Sequence, residues 1–322
     1  ERETMKTHLS FLTCASVLLF VILTGCGGPD TALEGPAQAE PPGAKARIGV
    51  VLLTRTHPFY QDLEAAMQSQ AEQEGLELLV STGEFDVARQ KDQMADFIVR
   101  KVDEIVVCPA DSTSIGTSVK AANDAGIPVF TADIKCLAEG VDVKCHVATD
   151  NLEGGRLAAQ ALREAIGGSG QVAIIDHPEV ESVILRTKGF REEAAKTPEV
   201  EIVATLPGGG VKDKAFKAGE DLLQAHPELD GIFGINDDSA LGALAAVEKA
   251  GKQGEIMIVG FDAVPEAREA IKAGKIYADV IQKPEEIGRK TIQVVAQYMG
   301  GEEIPKEILI PCALYTKESP EG

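Results

Sequence analysis

The sequence contains no tryptophan, and only 4% of its 322 residues are aromatic. It is also short of cations, because 31 Lys and Arg residues stand against 51 Asp and Glu residues, for a formal net charge of −20. An acidic surface favours solubility and argues against nucleic acid as a partner. Because aromatic residues are so few, those that occur near polar positions are given more weight than usual as candidate functional residues.

Motifs that carry enzymatic or metal chemistry are missing as well. No HExxH, G-x-S-x-G or P-loop pattern occurs, and no CxxC or Cys/His cluster indicates a metal. The glycine runs at 167–170 and 208–210 lack the context of phosphate loops and are interpreted as turns. We predict no metal, no cofactor and no catalysis, although a glycosidase with two facing carboxylates stays open as an alternative.

The apolar stretch 9–23 follows a basic flank and is too short to span a membrane comfortably. It ends in Leu-Thr-Gly-Cys, which resembles a bacterial lipoprotein cleavage box, with Cys26 as the lipidated residue. We predict a signal peptide over residues 1–25 and a flexible tether, rich in Gly, Pro, Ala and Glu, over residues 26–45. Acyl chains would then hold the protein on a membrane surface outside the cytoplasm.

Cysteine is scarce in the rest of the chain, and no pairing is forced. Cys136 and Cys145 flank a polar loop, and an oxidising compartment allows a disulfide between them. Cys108 lies within an apolar run and is predicted to be a buried thiol.

Short apolar runs alternate with amphipathic stretches from residue 46 onwards. Strands are predicted over residues 46–53, 76–81, 105–108, 129–132, 171–176, 200–206, 232–235, 256–260, 274–282 and 308–315. Helices are predicted to end at Glu74 and to span 86–101, 112–125, 152–166, 182–196, 213–225, 239–250 and 284–300. This alternation indicates parallel, doubly wound sheets, and the length allows two cores.

The two halves of the chain are related. DEIVVCPADSTSIG (103–116) with VFTAD (129–133) matches DGIFGINDDSALG (230–242) with IVGFD (258–262). Asp133 and Asp262 thereby occupy corresponding strand ends. Two similar α/β halves can place the carboxyl edges of their sheets face to face, so we predict a ligand cleft between them.

Five apolar runs end in acidic residues, and two interpretations of these acids stay open. Each acid can cap the next helix, which suits Asp111, Asp150 and Asp238 because a helical pattern follows directly. It suits Asp133 less well, since no clean helix begins after it. Side chains at the carboxyl ends of parallel strands also face the ligand crevice.

The side chains expected at these edges suit a neutral sugar or polyol. Carboxylates accept hydrogen bonds from hydroxyl groups, and Arg offers a rigid fork of donors. The side chains of Asn and Gln both donate and accept hydrogen bonds. Taken singly, Arg186 also fits a solvated helix face, and Phe59 and Tyr60 an ordinary core. The predicted ligand-binding residues are His57, Phe59, Tyr60, Asp133, Arg186, Asn236, Phe261, Asp262 and Gln282.

A set of short motifs runs along residues 46–317. They are HPFY (57–60), CPADS (108–112), TDNLEGG (149–155), RTKGF (186–190), LLQAHPELDGIFGINDDSALGAL (222–244), IVGFD (258–262) and QKPEEIG (282–288). Together they resemble the periplasmic sugar-binding proteins of ribose-type ABC transporters, which belong to the type I periplasmic binding proteins. The resemblance implies a three-segment hinge between two lobes, residues 46–149 plus 283–311 and residues 150–282 plus 312–318.

By this resemblance, Phe59 and Tyr60 match stacking aromatics, and the polar ligand contacts match Asp133, Arg186, Asn236, Asp262 and Gln282. Four positions depart from the pattern. His57 and Cys108 replace Asn residues, Ile134 replaces an Arg, and Gly210 replaces a Phe that covers the sugar ring. The loss of a cation and of an aromatic wall is expected to redirect specificity away from ribose.

We therefore expect a monomeric lipoprotein of the periplasm or cell envelope that binds a monosaccharide by lobe closure and delivers it to the permease of an ABC importer. Two alternatives remain: a receptor that presents its sugar to a membrane signalling protein, and an extracytoplasmic carbohydrate-active enzyme. A gene regulator is disfavoured, because a lipoprotein signal stands where a DNA-binding head would be.

Overall fold

The computed structural model describes residues 45–320, which fold into twelve strands and nine helices. The strands are β1 (Arg47–Leu52), β2 (Glu77–Thr82), β3 (Glu104–Val107), β4 (Val129–Ala132), β5 (Val143–Thr149), β6 (Gly170–Asp176), β7 (Val200–Pro207), β8 (Leu229–Gly234), β9 (Met257–Asp262), β10 (Ala278–Ile281), β11 (Glu307–Ile310) and β12 (Ala313–Thr316). The helices are α1 (Pro58–Glu74), α2 (Val87–Val99), α3 (Gly116–Asp124), α4 (Asn151–Ala165), α5 (Glu181–Ala194), α6 (Lys212–Ala225), α7 (Asp237–Lys249), α8 (Pro265–Lys272) and α9 (Pro284–Met299).

The strands form two six-stranded sheets with the same pattern of neighbours. The orders are β11-β5-β4-β3-β1-β2 and β12-β10-β9-β8-β6-β7. Every described pairing is parallel except β10 with β12. We call the first sheet with α1, α2, α3 and α9 the first lobe, and the second sheet with α4 to α8 the second lobe. The predicted fold class, two similar doubly wound α/β domains, is confirmed.

The chain passes between the two lobes three times. It leaves the first lobe between β5 and α4, returns between β10 and α9, and leaves again between β11 and β12. Sequence patterning merged the last two strands into one strand over residues 308–315. That prediction is wrong because Pro311 lies between them and has no N–H to continue a ladder.

Helices cover both faces of each sheet, which explains why the central strands are continuous apolar runs. In the first lobe, Leu63 of α1 and Ile287 of α9 pack on one face, while Phe97 of α2 and Val119 of α3 pack on the other. Strand β5 and helix α8 were not predicted, and the predicted strand 274–282 begins only at Ala278.

Helices α4 and α5 touch through their backbones, and this contact positions Arg186 of α5. A Cβ at Gly155 of α4 would lie 2.0 Å from the carbonyl oxygen of Arg186, and a Cβ at Gly189 of α5 would lie 2.0 Å from that of Leu152. Only glycine permits this approach. The close backbone contact with α4 therefore fixes the position of α5, the helix that carries Arg186.

The allowed disulfide between Cys136 and Cys145 is not formed, and both thiols are free. Cys145 packs with α1 and α9, whereas Cys136 packs with α2 and α3, so a disulfide would have to cross the sheet. Cys108 is fully buried, as predicted, and burial raises the pKa of its thiol well above the usual range.

The predicted signal peptide, Cys26 and residues 27–44 of the predicted tether lie outside the described residues. Between residues 45 and 320, none of the helices is both long and apolar enough to cross a bilayer. The same residues contain no group of three or more His, Cys, Asp and Glu side chains arranged to hold a metal.

Candidate functional site

A cavity lies where the carboxyl ends of strands from the two sheets face each other. Its empty space is about 450 Å³, part of it open to solvent. Eight of the nine predicted ligand-binding residues line it: His57, Phe59, Tyr60, Asp133, Arg186, Asn236, Asp262 and Gln282. The geometry thus brings together side chains that are up to 225 residues apart in sequence, from His57 to Gln282.

His57 caps helix α1 and also presents a hydrogen-bond donor to the cavity. Its Nδ1 accepts from the backbone N–H of Phe59 at 3.3 Å, and Pro58 starts the helix. Because Nδ1 is an acceptor, the ring proton of the neutral form is assigned to Nε2. Nε2 is buried without a hydrogen-bond partner and lies 3.4 Å from Oδ2 of Asp262.

Asp133 faces the cavity with one oxygen occupied and one free. Its Oδ2 accepts a hydrogen bond from the Tyr60 hydroxyl at 2.5 Å, and its Oδ1 is buried without a partner among the described residues. Burial raises the pKa of Asp133 to about 6, against an opposing effect of nearby Arg186. Its φ of +63° is one that aspartate tolerates better than most residues.

Arg186 is held in place by four contacts while only 4% exposed. Its Nε donates to Oδ1 of Asn151 and its Nη1 to the carbonyl of Ile235, both at 2.8 Å. Nη1 also lies 3.7 Å from Oδ1 of Asp262, and the guanidinium stacks 3.8 Å from the ring centroid of Phe261. The cation is therefore oriented before any ligand arrives, which lowers the cost of binding.

Phe261 does not line the cavity, so the prediction that it covers a ligand ring is wrong. The side chain is fully buried and lies under the guanidinium of Arg186, against Gly154 of α4. Successive residues of a strand point to opposite faces, which sends Phe261 to the helix side when Asp262 faces the cavity. Its contribution is a cation–π contact that supports Arg186.

Asp262 is tied to both sheets through an amide. Gln282 donates from Nε2 to Oδ1 of Asp262 at 2.5 Å, and its Oε1 accepts from the Thr149 hydroxyl at 2.5 Å. Asp262 has φ +117° and the following Ala263 has φ +59°. Such backbone strain in non-glycine residues costs on the order of 1–3 kcal/mol and often accompanies functional sites.

Asn236 both caps a helix and lines the cavity. Its Oδ1 accepts from the N–H of Ser239, and its Nδ2 donates to the carbonyl of Gly210 at 3.0 Å. Asn236, rather than the predicted Asp238, is therefore the N-cap of α7. The predicted capping role of Asp150 is confirmed, because its side chain accepts from the N–H of Glu153.

Two aromatic side chains that line the cavity were missed in the sequence. Phe85 follows β2 and His177 follows β6, with ring centroids 6.4 Å apart. A Cβ at Gly210 would lie 3.1 Å from Nδ1 of His177, so these rings stand beside the position that lacks a side chain. His177 directly follows a predicted strand, and that signal was available. Phe85 has φ +60° and gives no comparable sequence signal.

Fold and site together define a two-lobed binding protein that encloses a small polar ligand. A profile described as a periplasmic binding protein domain matches residues 48–303. The chain is 31% identical over 319 residues to the ribose import binding protein RbsB of Bacillus subtilis (strain 168), which covers 98% of this chain and 100% of that relative. The chain therefore belongs to the periplasmic binding protein family, and the resemblance found in its motifs is confirmed.

Other relatives and solved structures agree with this assignment. The D-allose-binding periplasmic protein of Escherichia coli (strain K12) is 30% identical over 261 residues, covering 78% of this chain and 84% of its own. An ABC transporter solute-binding protein from Actinobacillus succinogenes 130z with bound D-allose has a TM-score of 0.79 at 30% identity, over 85% of this chain and 98% of its own. One from Bacillus halodurans C-125 with bound myo-inositol has the same TM-score and identity, over 86% and 96%.

Proposed function

We propose that this protein is an extracytoplasmic solute-binding protein that captures a monosaccharide or polyol between its lobes and delivers it to an ABC importer. The observation that carries the proposal is the cavity itself, where buried donors and acceptors from both lobes converge. Oδ1 of Asp133 is an acceptor without a hydrogen-bond partner among the described residues, and Nε2 of His57 is a donor that makes no hydrogen bond there, although it lies 3.4 Å from Oδ2 of Asp262. A hydroxyl group can donate and accept, so it satisfies both kinds of atom.

The charge of the cavity favours a neutral, hydroxyl-rich ligand. Two carboxyls, Asp133 and Asp262, lie near one fixed cation, Arg186, and each charge-assisted bond to a hydroxyl contributes about 1.5–3 kcal/mol. Relatives named for ribose, D-apiose, xylitol and D-allose support pentoses, hexoses and their alcohols as the ligand class. The protein binds this ligand without converting it.

Capture proceeds by closure of the lobes about the three crossings of the chain. We place the lobe limits at residues 46–149 plus 283–311 and residues 150–282 plus 312–318. The ligand stabilises the closed state because it contacts His57 and Asp133 from one lobe and Arg186 and Asp262 from the other. A ligand that touched one lobe alone would not shift this equilibrium.

The proposed location is the periplasm or cell envelope, with the protein as a monomer tethered through lipid on Cys26. The family supports the compartment, and the cleavage-box pattern supports the lipid. Fractionation of cells that express the Cys26→Ala variant tests the anchor. Release of the variant from the membrane fraction is expected, and equal membrane retention would contradict it.

A ligand panel tests the function. Purified protein is titrated with ribose, allose, apiose, xylitol, myo-inositol and glucose, first by thermal shift and then by calorimetry. Stabilisation by at least one member is expected, because ligand that binds only the folded state raises the unfolding midpoint. Recovery of the ligand after incubation separates binding from turnover: unchanged sugar supports a receptor, and a product indicates an enzyme.

A further inference from the structure

The two lobes meet at a second place, outside the cavity lining, through Ser112. This residue lies in the loop between β3 and α3 of the first lobe and is 1% exposed. Its hydroxyl accepts a hydrogen bond from the N–H of Glu181 at 2.9 Å, and its own N–H donates to the carbonyl of Glu179 at 3.0 Å. Glu179 and Glu181 belong to the start of α5 in the second lobe.

Helix α5 has no side-chain cap of its own. Its N-cap residue is Val180, which has an extended backbone and no side-chain atom that accepts a hydrogen bond. By contrast, α2, α4 and α7 are capped by Asp86, Asp150 and Asn236 from their own sequence. A serine hydroxyl is a preferred acceptor at a helix N-terminus. Ser112 supplies this acceptor to α5 from the other lobe.

The first lobe holds Ser112 in a fixed orientation. Its carbonyl accepts from the N–H of Leu137 at 2.7 Å. The preceding Asp111 accepts from the N–H groups of Thr113 and Ser114 at 3.0 and 2.6 Å, which closes a tight turn around Ser112. The hydroxyl therefore reaches α5 only when the lobes come together, because the turn keeps it with the first lobe.

We propose that Ser112 is a positioning residue that caps α5 in the closed state alone and so favours ligand retention without touching the ligand. In an open state, water satisfies the N–H of Glu181. In the closed state without the hydroxyl, that N–H is buried and unpaired, which is costly. Since α5 carries Arg186, the cap also fixes the start of the helix that holds the cavity cation. The inference rests on the proposed function where it concerns ligand affinity.

The first test compares Ser112→Ala with Thr113→Ala, an exposed neighbour in the same turn. The ligand used is the panel sugar that stabilises the wild type most. Ser112→Ala is expected to raise Kd about tenfold, mainly through faster dissociation, because the binding-competent closed state becomes less populated. Thr113→Ala is expected to bind as the wild type does. Equal Kd values for the wild type and Ser112→Ala would overturn the proposal.

The second test needs no ligand and keeps the proposal separable from the proposed function. Hydrogen exchange is followed at the backbone amide of residue 112, whose partner is the carbonyl of Glu179. Protection is expected to fall in Ser112→Ala, by up to about tenfold where the closed state predominates, and to stay unchanged in Thr113→Ala, with the same unfolding midpoint in both. If the wild type binds no panel sugar but this protection falls, the ligand class is wrong and the cap stands. If the wild-type amide is unprotected with and without sugar, the cap is wrong.

Discussion

The two lobes secure the strand ends behind the cavity with different chemistry. In the first lobe, the buried side chain of Gln90 donates to the carbonyls of Leu52 and Cys108 and accepts from the N–H of Ala110. In the second lobe, two fully buried carboxyls lie beside Gly260 of β9: Asp237, which follows β8, and Asp279 of β10. A neutral amide is insensitive to pH, whereas a buried pair of acids is not.

Burial of the acid pair in the second lobe favours the protonated form of both carboxyls. Burial raises the pKa of Asp237 well above its usual range and that of Asp279 to about 7. Oδ2 of Asp237 accepts from the N–H of Val264 at 2.6 Å, so Asp237 anchors the turn that follows the strained Asp262. Asp237 corresponds to Ala110 in the internal repeat. At this matching strand end, the first lobe uses the amide of Gln90 and the second lobe uses a carboxyl.

The largest expected effect on stability comes from removing the Gln90 amide of the first lobe. Gln90→Leu removes the side-chain partner of the Cys108 carbonyl and of the Ala110 N–H, and each such loss costs about 1–3 kcal/mol, whereas the Leu52 carbonyl keeps the N–H of Gly83. We expect the free energy of unfolding to fall by about 3 kcal/mol, measured by urea denaturation. Gln160→Leu, an exposed glutamine on α4, is the control and is expected to change little. A loss below about 1 kcal/mol for Gln90→Leu would show that this anchor is dispensable.

The next effect concerns the cavity side of the second lobe. Asp262→Ala and Arg186→Ala each break a buried pair whose members lie 3.7 Å apart, and such changes cost about 2–5 kcal/mol of binding. We expect at least a hundredfold rise in Kd, measured by calorimetry, with circular dichroism showing a retained fold. Arg191→Ala removes an exposed arginine from the same helix and is expected to leave Kd unchanged. Normal binding by either cavity variant would place the site elsewhere.

The acid pair predicts a pH dependence that the neutral anchor lacks. Between about pH 4 and 7 the folded state keeps a proton on Asp279 that the unfolded chain has released, so wild-type stability falls as pH rises through this window. Asp279→Asn is expected to flatten the fall by roughly 1 kcal/mol, measured by urea denaturation at several pH values. Asp92→Asn, exposed on α2, is the control. Parallel pH profiles for the wild type and Asp279→Asn would contradict a raised pKa of Asp279 in the folded state.

The smallest effect is expected at the cavity acid of the first lobe. Asp133→Asn keeps an acceptor for the Tyr60 hydroxyl, and the pKa of Asp133, raised to about 6, indicates that its charged form is already disfavoured. We expect Kd to rise about fivefold, or about 1 kcal/mol, measured by calorimetry beside Asp262→Ala. An equal rise in Kd in the two variants would contradict this prediction, because it would mean that the two cavity acids contribute equally to ligand binding.

Local patterns in the sequence predicted most of the fold. Apolar runs and helical spacing are properties of neighbouring residues, and the internal repeat placed Asp133 and Asp262 at matching strand ends. The single predicted strand over 308–315 failed because each of its halves belongs to a different sheet. Which sheet a short strand joins is a tertiary property that alternation of residue types does not encode.

Site residues that directly follow a strand could be predicted from the sequence, whereas contacts between the two lobes could not. Phe261 adjoins a correctly placed acid but turns to the opposite face. Phe85 depends on a left-handed turn. The bond from Glu181 to Ser112 joins residues 69 apart from different lobes, and no local signal marks it.

The last crossing of the chain has a consequence for engineering. Strand β12 pairs antiparallel with β10 and forms the margin of its sheet. A chain cut at Pro311 would expose the backbone donors and acceptors of β10, a template for adhesion to other molecules. Affinity tags and reporter fusions should therefore be joined beyond Thr316, since removal of β12 would leave an unpaired strand edge that favours aggregation.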